Sequence, residues 1–222
     1  THCISSAASD VYKRQPTGGA FGAYMFGIGS TEMLGVVVTG EIWLRVPHTL
    51  QMHWSGQLAP GVTAKDMMLH MIGCFGMNGG QYQAVEFAGP AVQALGMQER
   101  MTLSNMSAEL GAQAGLIAPD ATTREWLRAA GVPDADLQGL DAWRTDEGAA
   151  LTRHTFDATT LTPQVAAPHS PANAAPVAQH AGQGIDVAYI GACTGAKLDD
   201  LRAAASVLRG KRVATIRRTP LA

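Results

Sequence analysis

The chain has 222 residues, of which 46% are hydrophobic and 15% are charged, and its net charge is −2. This composition is typical of a globular protein that is long enough to bury a core. A nearly neutral chain without basic clusters argues against a nucleic-acid partner. No apolar run reaches the roughly 20 residues that a transmembrane helix needs, so we expect no membrane partner either.

Three cysteines, Cys3, Cys74 and Cys193, lie far apart in the sequence. A sparse and odd set argues against a disulfide framework and favours a reducing compartment. We therefore predict a cytoplasmic protein. Cys74 lies near the end of an apolar predicted helix, where we expect it to be buried and inert.

Residues 1–15 show no periodic pattern. They resemble translated adapter or cloning sequence, and we treat them as a non-native leader outside the fold. Residues 16–57 are interpreted as the end of a first domain. Their six glycines between positions 18 and 35 indicate close backbone packing or a loop that faces a ligand. The later periodicity predicts a helix from Ser30 and a strand over 49–54.

Residues 58–162 are predicted to form a second, α/β domain. Thr63 and Asp66 have the spacing of a capping box at the start of a helix. The stretch over 131–160 is mixed and polar, and is interpreted as excursions over the surface. The other predicted elements are a strand over 83–88, a helix over 97–113, a strand over 116–118 and a helix capped by Thr122 with Glu125.

Residues 163–222 are interpreted as a connector followed by the start of a third domain. The stretch over 163–184 is rich in Ala, Pro, His and Gly, which favours an extended connector. A strand over 185–190, a helix over 197–209 and a strand from Arg212 then form a predicted βαβ unit, which should be right-handed. The fold class predicted from these elements is α/β, in parts of three domains.

Cys193 lies in the tight loop between the predicted strand and helix of that unit. Ligands of α/β sheets bind outside the carboxyl ends of the strands. The N-terminus of the following helix favours thiolate over thiol. Thiolate is the form that binds iron or acts as a nucleophile, although a half-buried cysteine that only packs accounts equally well for the local pattern.

Asn105 and Glu109 are four residues apart on the predicted helix over 97–113, so they share one face. An amide and a carboxylate on one face could orient a substrate hydroxyl and take part in proton transfer. The alternative is a solvated helix face. The seven histidines show no HExxH spacing, and the glycines form neither GxGxxG nor a phosphate loop, which argues against a nucleotide-binding domain.

Five stretches, in order, resemble motifs of the aconitase superfamily and together cover about residues 16–214. The fourth of them resembles the connector of the 3-isopropylmalate dehydratase branch. The stretches are GGAFGAYMFGIGSTE, PGVTAKDMMLHMIG, VEFAGPAVQALGMQERMTLSNMSAELGAQAGLIAPDATT, PQVAAPHSPAN and YIGACTGAKLDDLRAAASVLRGKRV.

The resemblance implies an aconitase-like multi-domain fold, present here incompletely, and a 4Fe-4S cluster held by three cysteines. By the match of motifs, Cys193 is the first cluster and metal ligand, and Asn105 and Glu109 are catalytic residues beside it. An open iron of such a cluster acts as a Lewis acid on a substrate hydroxyl. The implied enzyme is an iron–sulfur hydro-lyase.

The implied reaction is the dehydration and rehydration of a small hydroxy di- or tricarboxylate, with 3-isopropylmalate of leucine biosynthesis as the first choice. Aconitate, homoaconitate and dimethylmalate are neighbouring choices. The implied partner is a small subunit that carries the swivelling domain. A cluster-less, RNA-binding relative is the alternative, against which the net charge of −2 counts.

The chain departs from the family pattern at several points. The family pattern has an Asp-Ser-His before the position of Pro16 and a Cys-x-x-Cys beyond the position of residue 222. Neither motif occurs within the 222 residues of this chain. One family thiolate is too few for a cluster that needs three. Gly195 stands where the family usually has Asn. We therefore expect this chain to be a fragment that is inactive by itself.

Overall fold

A computed structural model of the chain describes residues 15–185, 187–191 and 194–212. Over these residues the chain is mixed α/β, with a parallel sheet of four strands and a separate two-stranded ribbon. None of the helices in this described part is long and apolar enough to cross a lipid bilayer. The predicted strand from Arg212 and the leader over 1–15 fall almost wholly outside the described residues.

The α-helices are α1 (Ser30–Thr39), α2 (Ala64–Phe75), α3 (Pro90–Gln93), α4 (Met97–Met106), α5 (Ala121–Ala129) and α6 (Leu198–Leu208). The strands are β1 (Thr49–Ser55), β2 (Ala84–Ala88), β3 (Ala114–Leu116), β4 (Thr152–Asp157), β5 (Gln164–Ala166) and β6 (Ala174–Pro176). The 3₁₀ helices are Gln15–Phe21, Asp134–Leu137, Leu140–Ala142, Ala158–Thr160, Pro171–Asn173 and Val177–His180.

The four-stranded sheet has the order β3-β2-β1-β4, and all of its neighbouring strands run parallel. β1 therefore lies inside the sheet, between two strands that come later in the chain. The predicted boundary between residues 57 and 58 separates β1 from both of its partners. The division of the longer protein into three domains itself stays a prediction.

The hydrophobic core lies between one face of this sheet and helices α2 and α4. Alternate residues of β1 point to this face, as the period of two in a strand requires. The helices contribute the apolar stripes that the sequence pattern predicts. The core residues at this interface include Leu50, Met52, Trp54, Met67, Met68, Met71, Ile72, Val85, Phe87 and Leu103.

The start of α2 is closed by the capping box that the sequence predicts. The backbone N–H of Thr63 donates to Asp66 Oδ2 at 2.7 Å. The other carboxylate oxygen of Asp66 accepts the backbone N–H of Gln164 at 2.7 Å. One buried carboxylate thus ends a helix and holds the β5–β6 ribbon against it.

The glycine-rich start of the chain packs its 3₁₀ helix Gln15–Phe21 against α4 and β3. The carbonyl of Gly19 accepts the backbone N–H of Ile117 at 2.9 Å. A Cβ at Gly19 would lie 1.8 Å from the carbonyl oxygen of Gly115. Close backbone packing, one of the two explanations offered for this glycine-rich stretch, accounts for Gly19.

The predicted helix over 97–113 is wrong in its second half. α4 ends at Met106, and residues 107–111 form consecutive turns. The chain must reverse here to enter β3, and Gly111 at φ +80° completes the reversal. The cap of the next helix is Asp120, which accepts the N–H of Thr123 at 3.1 Å, and not Thr122.

Two stretches, interpreted from the sequence as surface excursions and as a connector, contain strands that the sequence pattern did not predict. β4 lies within 131–160, at the edge of the sheet, where an exposed face gives no apolar alternation to detect. The connector over 163–184 contains the antiparallel pair β5–β6, packed on α2. Short edge strands of this kind are formed by backbone pairing, which composition does not reveal.

Of the predicted βαβ unit, the described residues form the helix but not the first strand. α6 matches the predicted helix over 197–209 closely. Residues 185 and 187–191 form no strand, and Ile185, Val187 and Tyr189 are each more than three-quarters exposed. A strand needs a neighbour with which to share its backbone hydrogen bonds, and the described part of the chain provides none there.

Candidate active site

Asn105 lies in the last turn of α4 and is only 3% exposed. Its Nδ2 donates to Thr17 Oγ1 at 2.9 Å. Thr17 belongs to the 3₁₀ helix that packs against α4, so two distant parts of the chain hold the amide in one orientation. A buried amide that is fixed in this way is suited to orient a polar ligand.

Glu109 lies in the turns that follow α4, three residues beyond the end of the helix. The predicted common helix face for Asn105 and Glu109 is therefore a helix end continued by a turn. The Oε2 atom of Glu109 is buried and has no hydrogen-bond partner among the residues that the structure describes. A buried carboxylate oxygen without a donor calls for a partner such as water or a ligand.

Cys193, the predicted cluster ligand, lies outside the described residues. The residues that follow it do contact α4. Lys197 Nζ donates to Thr102 Oγ1 at 2.6 Å, and the same hydroxyl makes a long contact of 3.5 Å to the carbonyl oxygen of Thr194. Thr102 is three residues before Asn105, so the segment after Cys193 lies against the helix that carries the buried amide.

The start of α6 adds a second attachment to α4. The backbone N–H of Asp199 donates to Gln98 Oε1 at 3.2 Å. Burial raises the pKa of the neighbouring Glu99, and the negative charges of Asp200 and Asp199 raise it further, against hydrogen bonds from the backbone of Ala64 and Gly96. An acidic helix start therefore faces a half-buried carboxyl group.

These contacts were not predicted from the sequence. Thr102 and Lys197 are separated by 95 residues; both lie in stretches that resemble family motifs, but nothing in the sequence indicates that they contact each other. A threonine on a helix and a lysine in a loop have no pattern that distinguishes them from solvated residues. Their proximity is a property of the tertiary structure alone.

The helix that carries Asn105 is anchored by the fully buried Arg100. Its guanidinium forms two hydrogen bonds of 2.7 Å with the carboxylate of Asp120 and donates to the carbonyl oxygens of Leu95 and Gln93. Paired donors and acceptors of this kind satisfy a buried charge. The ion pair links α4 to the start of α5.

The described residues do not by themselves make a site for an iron–sulfur cluster. They include no group of three Cys, His, Asp or Glu side chains that could hold a metal ion. Cys74 is exposed on α2 rather than buried, which corrects the prediction made for it. It contacts His70, at 3.7 Å between Sγ and Nε2, and not the candidate site.

The sequence pattern of the aconitase family (aconitate hydratase) matches residues 15–184. The chain is 39% identical over 201 residues to the 3-isopropylmalate dehydratase large subunit 1 of Pyrococcus abyssi, which covers 89% of this chain and 46% of the relative. It is 42% identical over 199 residues to the 3-isopropylmalate dehydratase large subunit of Nitratidesulfovibrio vulgaris, with the same coverage.

A third relative has a different name. The probable methanogen homoaconitase large subunit of Methanosarcina mazei is 40% identical over 197 residues, which are 89% of this chain and 49% of the relative. The chain thus spans about half the length of the curated relatives it matches.

Proposed function

The chain belongs to the aconitase family, and on that premise we propose that it is part of the large subunit of a hydro-lyase. The proposed reaction removes water from a hydroxy di- or tricarboxylate and adds it back at the neighbouring carbon. The observation that carries the proposal is the buried amide of Asn105 together with the half-buried carboxylate of Glu109, at the end of α4. Asn105 is held by Thr17, and Glu109 has a buried carboxylate oxygen without a donor among the described residues.

The two side chains have different proposed tasks. The amide of Asn105 is held by its hydrogen bond to Thr17, and its orientation suits it to position a hydroxyl or carboxylate of the substrate. The carboxylate of Glu109 is the group that accepts or returns a proton, because its buried Oε2 atom has no donor among the described residues and is available to a substrate. Asn105 therefore orients the substrate, and Glu109 transfers the proton.

The cofactor expected for the family is a 4Fe-4S cluster, with Cys193 as one proposed ligand. Thr194 and Lys197 support this assignment, because they attach the segment after Cys193 to α4 next to Asn105. The thiol of Cys74, the other cysteine that the structure describes, contacts His70 on α2 and not this site, so Cys193 alone is assigned. The ligand role of Cys193 is independent of the roles of Asn105 and Glu109.

The proposed first substrate is 3-isopropylmalate, because the large subunits named for that reaction are about 40% identical to this chain. A homoaconitase-type relative is similar to the same degree. Homoaconitate is therefore the second candidate, and citrate and dimethylmalate complete the panel to be assayed. The proposed setting is the cytoplasm, with a small subunit as partner.

The experiment takes the whole protein that contains this chain, together with its small subunit, after anaerobic reconstitution with iron and sulfide. Dehydration of each substrate is followed by the ultraviolet absorbance of the unsaturated product. Glu109→Gln is expected to lower kcat by roughly 10²- to 10⁴-fold. The matched control is Glu125→Gln, which changes an exposed carboxylate on α5.

Two outcomes of this experiment would contradict the proposal. If Glu109→Gln turns over as fast as the Glu125→Gln control, then Glu109 has no part in proton transfer and the proposed site is wrong. If the native protein holds its cluster but dehydrates no member of the panel, the proposed reaction is wrong.

A further inference from the structure

A second pair of chemically reactive side chains lies on α2, outside the candidate active site. His70 and Cys74 are four residues apart on this helix, and their Nε2 and Sγ atoms are 3.7 Å apart. Cys74 is a free, exposed thiol. Both side chains therefore point to the same place from one rigid helical turn, and the thiol is open to solvent.

The distance between these two atoms fits a shared metal ion. Zn²⁺ binds thiolate sulfur at about 2.3 Å and imidazole nitrogen at about 2.0–2.1 Å, with tetrahedral geometry. Two ligands that meet these lengths at a tetrahedral angle lie about 3.5–3.6 Å apart. The observed 3.7 Å is within a small side-chain adjustment of that value. The spacing of four residues on a helix is also the one with which two histidines bind zinc in helical HExxH sites.

The imidazole of His70 is held in position by its neighbours. It makes edge contacts with the rings of Trp54 and Phe156, at centroid distances of 6.1 and 5.9 Å. Burial lowers the pKa of His70 below its ordinary value of 6.5. These ring contacts fix the imidazole with its Nε2 atom 3.7 Å from the Cys74 thiol.

The pair lines a cavity of about 360 Å³ between α2, the ends of β1 and β4, and the β5–β6 ribbon. Trp54 lines the same cavity, and its indole N–H is buried without an acceptor in the part of the chain that the structure describes. A water or anion bound in this cavity could accept that N–H. The cavity thus has room for the solvent ligands that a two-residue site needs, and an unused donor among its lining residues.

We propose that Cys74 and His70 form a chelating pair for a thiophilic divalent cation of the Zn²⁺ type, with water or a small anion completing the coordination. The ligand types select borderline and soft cations over Mg²⁺ or Ca²⁺, which prefer oxygen. No third Cys, His, Asp or Glu joins the pair among the described residues. The site is accordingly open and exchangeable, unlike a closed structural zinc site.

The experiment titrates the reduced 222-residue chain with Co²⁺, because a bound cobalt gives a thiolate-to-metal charge-transfer band in the near ultraviolet. The native chain is expected to show the band, to lose it when Zn²⁺ is added, and to keep it in excess Mg²⁺. Cys74→Ser should abolish the band. His70→Phe, which keeps a ring against Trp54 and Phe156, should weaken binding by at least about tenfold, the loss typical of removing even an outer-shell partner.

The two other cysteines provide the controls. Cys3→Ser and Cys193→Ser should each leave the band in place. If Cys74→Ser keeps the band and Cys193→Ser loses it, cobalt binds at Cys193 and the proposal is wrong. If the native chain and the Cys3→Ser and Cys193→Ser variants show no band that Zn²⁺ displaces, no thiophilic site exists at Cys74 and the proposal is also wrong. The same holds if Mg²⁺ displaces the band as well as Zn²⁺ does.

Discussion

Helices α1 and α2 are both apolar, yet only one of them belongs to the core. α2 has seven buried residues, whereas α1 has none. α2 lies between the sheet and the β5–β6 ribbon, and α1 makes no extensive contact with another helix or strand among the described residues. An apolar stripe therefore indicates a helix face that burial would stabilise. It does not indicate that the described residues include the element that buries this face.

The two helices also depend on different forces. Burial of one large apolar side chain stabilises a fold by about 1.5–3 kcal/mol. Several such side chains of α2 are buried. α1 is held by its ends: Glu32 accepts the N–H of Gly29, and Gly40 closes the helix at φ +74°. Capping of this kind contributes about 1 kcal/mol at each end, so α1 is the weaker element.

The largest expected difference in the free energy of unfolding is between truncation of a leucine in the core and truncation of a leucine on the exposed face of α1. Leu103→Ala, in the fully buried position of α4 that packs beside α2, should lower the free energy of unfolding by about 2–5 kcal/mol, because it leaves a cavity. Leu34→Ala, on the exposed face of α1, should change it by less than about 0.5 kcal/mol. Urea unfolding followed by circular dichroism measures both.

Equal losses for the two leucine variants would contradict the comparison, because they would show that Leu34 is covered as well as Leu103. A self-association of α1 faces would be the physical cause to examine, by repeating the unfolding at two protein concentrations.

A smaller difference is expected between two ion pairs. Asp120→Asn keeps an N-cap acceptor for α5 but removes the charge that pairs with the buried Arg100. We expect a loss of about 2 kcal/mol, less than for a fully buried pair because the side chain of Asp120 is 35% exposed. Asp134→Asn, whose pair with Arg128 is exposed, should cost about 0–1 kcal/mol.

The pH dependence tests the same ion pair independently. Burial by itself would raise the pKa of Asp120, but hydrogen bonds from Arg100 and Thr123 outweigh it, and the pKa lies below its ordinary value of 3.8. The contribution of the ionised group is therefore complete above about pH 4 and is lost as the pH falls through the folded-state pKa. The gap in stability between native chain and Asp120→Asn should close on acidification, and a gap that stays constant would mean that the charge is not its cause.

The smallest change in stability is expected at Trp43, which follows α1 and is 87% exposed. Trp43→Ser should alter the free energy of unfolding by no more than about 0.5 kcal/mol. It should also reduce association between chains, because an exposed apolar patch promotes contact. Light scattering at several concentrations measures the association, and a marked loss of stability would show that Trp43 packs inside the fold.

The local elements were predictable where one short segment carries the whole signal. The capping box of Thr63 and Asp66 and the strand β1 were predicted correctly, because a cap and an alternating pattern are each complete within a few residues. β4 and the end of α4 at Met106 were not predicted. An exposed edge strand has no apolar pattern, and the position of a chain reversal depends on where the next strand must pair.

The candidate site likewise combines residues that a local pattern indicates with contacts that no local pattern indicates. Asn105 and Glu109 were selected by their residue types, their spacing and a family resemblance, and their catalytic roles stay a prediction. The contacts of Thr17 with Asn105, and of Thr102 with Lys197, join residues that are 88 and 95 positions apart. No local pattern predicts such pairs, because the partners belong to distant segments and nothing in either segment specifies the other.

The sequence by itself determined the family, the α/β class and most of the helix starts, because motifs, caps and hydrophobic periods act over short distances along the chain. Only the tertiary structure decided which apolar faces are buried, where α4 ends, and that His70 and Cys74 share a cavity with Trp54. Burial and side-chain proximity are relations between distant segments. They depend on how the sheet, the helices and the ribbon pack together, and no single segment contains that information.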